Sequence, residues 1–332
     1  MTLITYTNKS ADSIMRTSAV AKTWAAQDKR ISLVVENKVE DIRLKSNSLG
    51  IAWYLFVPPL VLTCVLLLPQ IRELFLNAGW RWAHLMLLSF GISFSLNPLF
   101  SKIAFNLDML DSPDQRKVHK QATPLLGGAA VFSGFFAALL INGIFSLELG
   151  AILIASFVLF AVGIVDDYRE ISASVKLITQ IICATLVISC GIMLRVVPTS
   201  LGILAPIGNS LLTVLWIIGI TNAMNFFDGM DGLAAGLGAM IAFFLGVVAF
   251  QTAQPFIGWI AVAMMGSCLG FLPFNFKLRG NAAIFLGDAG STVIGFVPVS
   301  YTHLRAHETN DLISYAVVCL KKGGGGGGGG GG

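Results

Sequence analysis

Apolar runs of about bilayer length recur through this chain between residues 51 and 275. A helix needs about 20 apolar residues to cross a hydrocarbon core. Runs at about 51–71, 82–101, 125–145, 148–165, 177–197, 210–224, 232–250 and 256–275 meet or approach that length, and a ninth begins near Ser291. The run at 82–101 is the weakest, interrupted by His84, Ser89, Ser93, Ser95 and Asn97. Charged residues make up 12% of the sequence, about half the share of a soluble domain. The expected fold is therefore all-α: a polytopic transmembrane helical bundle of about eight complete helices plus a truncated ninth.

The ends of the chain have a different character. Residues 1–50 are polar and carry eight Lys or Arg, so they read as a cytoplasmic N-terminal extension with no assigned function, and no cleavable signal peptide opens the chain. Residues 51–298 read as an incomplete transmembrane domain. Val299 to Thr309 (VSYTHLRAHET) resembles a translated sequencing adapter, Ile313 to Lys322 resembles the primer region after it, and Gly323 to Gly332 is poly-glycine. Residues 299–332 are accordingly read as artefact, with the natural protein continuing beyond Pro298. The five cysteines are scattered without CxxC spacing, which favours small packing residues over a metal or disulfide framework.

Alternation of the runs assigns their connections to sides. With 102–124 in the cytoplasm, the segments 166–176, 225–231 and 276–290 fall on the same side. Together these four carry eight Lys or Arg, against Arg195 alone in the three intervening outer loops. That satisfies the positive-inside rule, although Arg72 and Arg81 in the first outer loop oppose it.

Four polar clusters interrupt the apolar pattern, all on that inner side. In the first, Arg116, Lys117, His119 and Lys120 form a basic patch before the sequence TPLLGG. Such a patch suits phosphate oxygens, though a loop that merely sets topology would look the same. In the second, Asp166 and Asp167 end an apolar run, with Lys176 closing the loop. Carboxylates at a helix C-terminus meet the negative end of its dipole, so a cation or a nearby Lys or Arg must compensate. A solvated loop of mixed charge is the plainer reading. In the third, Asn222, Asn225, Asp228 and Asp231 recur every three residues. On a continuous helix this makes a polar ladder along one face. Acids at membrane depth are costly and mark function more often than helix–helix glue. In the fourth, Asp288 stands between Gly287 and Ala289-Gly290 where another apolar run begins. It is either a helix cap or a ligand for metal or phosphate.

In order and spacing, RKVHKQATPLLGG, VDDYREISASVK, TNAMNFFDGMDGLAAG and FLGDAGSTVIGF resemble the polyprenyl-phosphate N-acetylhexosamine-1-phosphate transferases, within glycosyltransferase family 4. The sister branch is the phospho-N-acetylmuramoyl-pentapeptide transferase of peptidoglycan synthesis. The resemblance covers about Asp108 to Phe296. It implies about ten or eleven transmembrane helices around a cytoplasm-facing cleft, in a multi-pass protein of the bacterial inner membrane. Asp166 and Asp167 match the family's paired aspartates, one of them proposed to deprotonate or position the lipid phosphate. Asp228 and Asp231, with Asn225, match a motif implicated in nucleotide-sugar and metal binding. Asp288 matches the aspartate assigned to Mg²⁺, for which Mn²⁺ could substitute. Lys120 matches a basic position needed for activity, and Lys176 a second one. The implied reaction moves a sugar-1-phosphate from a UDP-sugar to polyprenyl phosphate and releases UMP.

This chain departs from the family pattern in the extra run at 51–71 and in ending before the family's histidine-rich loop, so the chain as given is expected to be inactive. The implied partners are a UDP-sugar, the polyprenyl phosphate lipid and the membrane, with a homodimer compatible and no nucleic acid. The alternatives are the pentapeptide transferase itself and, from another class, an ion-coupled secondary transporter. Transporters place acids in broken helices near the bilayer midplane, whereas here the acids fall at the ends of apolar runs.

Overall fold

The computed structural model describes residues 56–111, 122–276 and 282–301. These residues are almost wholly helical: α1 (Val57–Leu66), α2 (Pro69–Asn77), α3 (Arg81–Asn106), α4 (Gly127–Ile141), α5 (Leu147–Tyr168), α6 (Ala173–Ser189), α7 (Leu204–Phe227), α8 (Leu233–Gln251), α9 (Pro255–Asn275) and α10 (287–301). A two-residue antiparallel pairing joins Leu110–Asp111 to Thr123–Pro124. Five of the helices are long and apolar enough to span a membrane. The protein is a helical, multi-pass membrane protein, as expected.

The first apolar run is two helices rather than one. α1 and α2 meet at an angle of 74°. Pro69 explains the break: it disfavours a helical conformation at the residue before it, and Leu68 is extended, with φ −68° and ψ 130°. The imidazole of His84, fully buried on α3, pairs through Nε2 with the carbonyl of Leu66 at this elbow and through Nδ1 with Asn142, each at 3.0 Å. The polar residues that weakened the run at 82–101 thus have a place. His84, Ser89, Ser93 and Asn97 are all buried against other helices.

α9 is the most enclosed span. It packs on α3 through Gly266 and Gly270, where a Cβ would strike the backbone carbonyls of Met86 and Phe90. Small residues one turn apart let helix backbones approach this closely. Two further boundaries differ from expectation. The run at 177–197 leaves the helix after Ser189, and residues 190–198 form a loop. This loop is held by Asn209, which accepts from the N–H groups of Val196 and Val197, and by Thr213, which accepts from Leu194. α10 starts at residue 287, four residues before Ser291, and runs through Pro298 to a fully buried Tyr301.

At one end of the bundle, the strand-like segments entering α4 and α10 lie side by side. Pro124 accepts from Phe285 N–H at 2.8 Å, and the carbonyls of Phe285 and Leu286 accept from Gly127 and Gly128 at 2.9 and 2.8 Å. Asn275, at the end of α9, ties in the start of α8. It accepts from Gly232 N–H at 2.7 Å and donates to the carbonyl of Ile284 at 3.0 Å. The connections α3–α4, α7–α8 and α9–α10 therefore meet at one place.

Candidate active site

That meeting place gathers the acidic clusters. Asp166 lies in the last turn of α5, Lys176 in the first turn of α6, Asp228 caps the end of α7, and Asp288 lies in the first turn of α10. The ammonium of Lys176 pairs with the carboxylate of Asp166 and stands 2.8 Å from Oδ2 of Asp288. Asp166 also accepts from the N–H of Ile171 at 2.8 Å, which folds the turn after α5 back onto it. The compensation that a carboxylate at a helix C-terminus requires is thus supplied within the chain, by Lys176.

Asp167 faces another way. Its Oδ1 accepts from the N–H of Asp288 at 2.8 Å and its Oδ2 from the N–H of Ala289 at 3.2 Å. The N–H of Gly287 lies near Asp228 and favours its charged form. Burial pushes the Asp228 carboxyl up to about 8, and the nearby carboxylates of Asp167, Asp288 and Asp231 push the same way, against the smaller opposing effect of the Gly287 N–H.

A cavity of about 110 Å³ opens beside the Lys176 pairings, lined by Asp166, Lys176, Gln180, Asn222, Asn225, Asp288 and Thr292 over a floor that includes Gly163. A water needs roughly 10–15 Å³ of such space. The cavity therefore has room for a few waters or a phosphate group, and is too small for a whole nucleotide sugar.

Of the acids singled out in the sequence, Asp166 and Asp288 line this cavity, whereas Asp167, Asp228 and Asp231 do not. The third cluster is also not a single helical ladder. α7 ends at Phe227, so Asn222 and Asn225 lie on the helix while Asp228 and Asp231 lie in the turn before α8. The turn reverses at Gly232, whose φ of 76° and contact with Phe276 exclude a side chain. Among the described residues, Asp231 is coupled to the cluster through its field at Asp228. Arg116, Lys117, His119 and Lys120 lie outside the described residues.

Gln180 and Asn275 were missed by the sequence reading. Gln180 is buried and pairs amide to amide with Asn222, with bonds of 2.8 and 3.3 Å. It lies one turn beyond Lys176 on α6, a helical spacing that would have pointed to the same face.

Residues 149–303 match the family model described as glycosyl transferase family 4. Over that span, a little under half of its length, the chain is similar to glycosyl transferase family 4. The chain is also similar to named relatives. The Bacillus subtilis (strain 168) protein named "Probable undecaprenyl-phosphate N-acetylglucosaminyl 1-phosphate transferase" is 38% identical over 210 residues, 60% of this chain and 56% of that protein. The decaprenyl-phosphate N-acetylglucosaminephosphotransferase of Mycolicibacterium smegmatis is 33% identical over 217 residues, 59% of this chain and 53% of that protein. The undecaprenyl-phosphate alpha-N-acetylglucosaminyl 1-phosphate transferase of Yersinia pestis is 29% identical over 239 residues, 68% of this chain and 65% of that protein. The chain spans roughly half to two thirds of the length of these relatives. Asp166, Asp167, Asp228, Asp231 and Asp288 all fall within the span matched by the family model.

The donor set suits a hard divalent cation. Asp166, Asp167, Asp228 and Asp288 bring carboxylates to one place, and among the described residues Lys176 is the one cation paired with them. No three acidic, His or Cys side chains among the described residues are pre-arranged to chelate a metal. Mg²⁺ does not require such a cage, because it usually keeps several waters and binds through one or two carboxylates plus substrate phosphates.

Proposed function

We propose that this domain belongs to an enzyme that transfers a sugar-1-phosphate, N-acetylhexosamine-1-phosphate in class, from a UDP-sugar to polyprenyl phosphate, releasing UMP. The observation that carries this reading is the Asp166–Lys176–Asp288 group at a cavity formed where helix ends meet. The names of the relatives supply the substrate class. The reaction site faces the cytoplasm of a bacterial inner membrane, on the strength of the basic residues in the same set of connections.

A lipid acceptor and a water-soluble donor can meet only at a membrane boundary. The acceptor phosphate is already ionised near neutral pH, so the main difficulty is bringing two polyanions together. Lys176 offers a positive charge at the cavity, and Asn222, Asn225 and Gln180 offer amide donors around it. Mg²⁺, when bound, would neutralise the diphosphate and stabilise the departing UMP. Asp288, which lines the cavity, would hold it there. Asp228, whose charge is coupled to that of Asp288, would join if it gave up its proton.

The direct experiment measures UMP release from UDP-N-acetylglucosamine by membranes carrying the full-length protein, with polyprenyl phosphate and with or without Mg²⁺. Release that depends on both lipid and cation supports the reading. Solute uptake without UMP release supports an ion-coupled transporter instead.

A further inference from the structure

Asp166 and Asp167 are neighbours in sequence, but residues one step apart on a helix point about 100° apart. Here this separates them onto different tasks. Asp166 lines the cavity and pairs with Lys176. Asp167 turns to α10, and each of its oxygens is engaged by a backbone N–H there.

We propose that Asp167 is a positioning residue: reaching across from α5, its carboxylate caps the first turn of α10 and so holds Asp288 at the cavity. The first N–H groups of a helix have no partner within it, and a capping side chain normally comes from the residue just before the helix. α10 has no such residue, since Leu286 precedes it and Gly287 opens it, and neither side chain can accept a hydrogen bond. Gly287 adopts φ 76°, and a Cβ on it would lie 2.6 Å from Oδ2 of Asp167. The glycine thus leaves the space that the carboxylate fills. One turn earlier on α5, a Cβ on Gly163 would strike the backbone of Ala289. Gly163 and Asp167 therefore make one continuous strip on which the start of α10 is seated.

The N–H groups of Asp288 and Ala289 are taken by Asp167, and that of Gly287 lies near Asp228. A helix N-terminus often binds phosphate. This one is already covered by the protein's own carboxylates, so substrate phosphate must find its positive partners elsewhere, beginning with Lys176.

The inference concerns the site of the proposed transferase and rests on that reading for its consequence in turnover. The test compares Asp167→Asn, Asp167→Ser and Asp167→Ala with Asp166→Asn and Asp288→Asn in the full-length protein. Asn and Ser cap helices without charge, so at least one should keep the wild-type melting temperature and UMP release within about tenfold. Ala removes the cap, and should lower the melting temperature by several degrees and turnover by about 100-fold. Mn²⁺ binding, read by electron paramagnetic resonance, should survive in the capping variant and weaken in Asp288→Asn.

Equal melting temperatures for wild type and Asp167→Ala would overturn the cap. A stable Asp167→Asn or Asp167→Ser as inactive as Asp288→Asn would show that charge at 167 takes part in the chemistry, and would overturn the assignment. Should wild type release no UMP, the transferase reading fails separately, while the melting temperatures still decide the cap.

Discussion

Lys176 holds Asp288 by an ion pair of 2.8 Å across 112 residues of sequence, and pairs with Asp166 through the same ammonium. One cation thus links α5, α6 and α10 at the mouth of the cavity.

Removing that cation should therefore have a specific effect. Lys176→Met is expected to lower UMP release by about 100-fold, the order seen when one preorganised electrostatic group is deleted. The loss in stability should be small, because the Lys176 side chain is 37% exposed and water screens the pair. Kinetics and thermal melting of the same preparation check both halves. A large fall in melting temperature with normal turnover would contradict the role given to Lys176.

Asp228 leads to a pH dependence. Its folded carboxyl is raised to about 8 from an ordinary value of 3.8, chiefly by burial. The folded state therefore holds the proton more tightly than the unfolded state. Without a divalent cation, this contribution favours the folded state at low pH, declines as pH rises from about 4 to about 8, and levels off above that. If Asp228 joins the Mg²⁺ site, the ion must displace that proton. Its affinity should then rise by about tenfold per pH unit between 6 and 8 in the limit of one proton released. Calorimetric titration in two buffers of different ionisation enthalpy measures the protons released. No proton release at pH 7 would remove Asp228 from the site.

Two glycines on α5 provide a matched comparison. A Cβ at Gly163 would collide with the backbone of Ala289, whereas one at Gly150 meets nothing within 4 Å. Gly163→Ala should cost about 1–3 kcal/mol through overpacking. Gly150→Ala should be neutral or stabilise by up to about 1 kcal/mol. Denaturation in detergent separates the two, and equal effects would argue against the α5–α10 contact.

Asn275 is 4% exposed and serves two buried backbone groups at once, the N–H of Gly232 and the carbonyl of Ile284. Asn275→Ala would leave both without their partner, at about 1–3 kcal/mol for each. It should lower both the melting temperature and turnover, since the turn carrying Asp228 and the approach to Asp288 lose a shared anchor. Asn275→Asp should recover less than half the loss, because a carboxylate accepts from Gly232 but cannot donate to Ile284.

The helices were legible in the sequence because lipid demands long apolar runs, and the site was legible because acids are rare in such runs. Three features were hidden for identifiable reasons. The elbow at Leu68 is a local effect of Pro69 inside a run whose mean apolarity stays high. The ladder from Asn222 to Asp231 has a perfect helical spacing, yet Gly229 and Gly232 let the helix stop at Phe227. The different duties of Asp166 and Asp167 depend on which helix each meets, and that follows from the packing of α5 on α10 across Gly163 rather than from either residue's neighbours in sequence. Asn275 carries no local signal at all, since its two partners lie 43 and 9 residues away.

Where α4 and α10 begin, Gly128 and Gly290 touch backbone to backbone, each occupying the space in which the other's Cβ would lie. The two positions consequently behave as one locus. Enlarging either forces the pair of helices apart at the end where the carboxylates gather, and no shrinkage of the other can make room, because neither has anything left to remove.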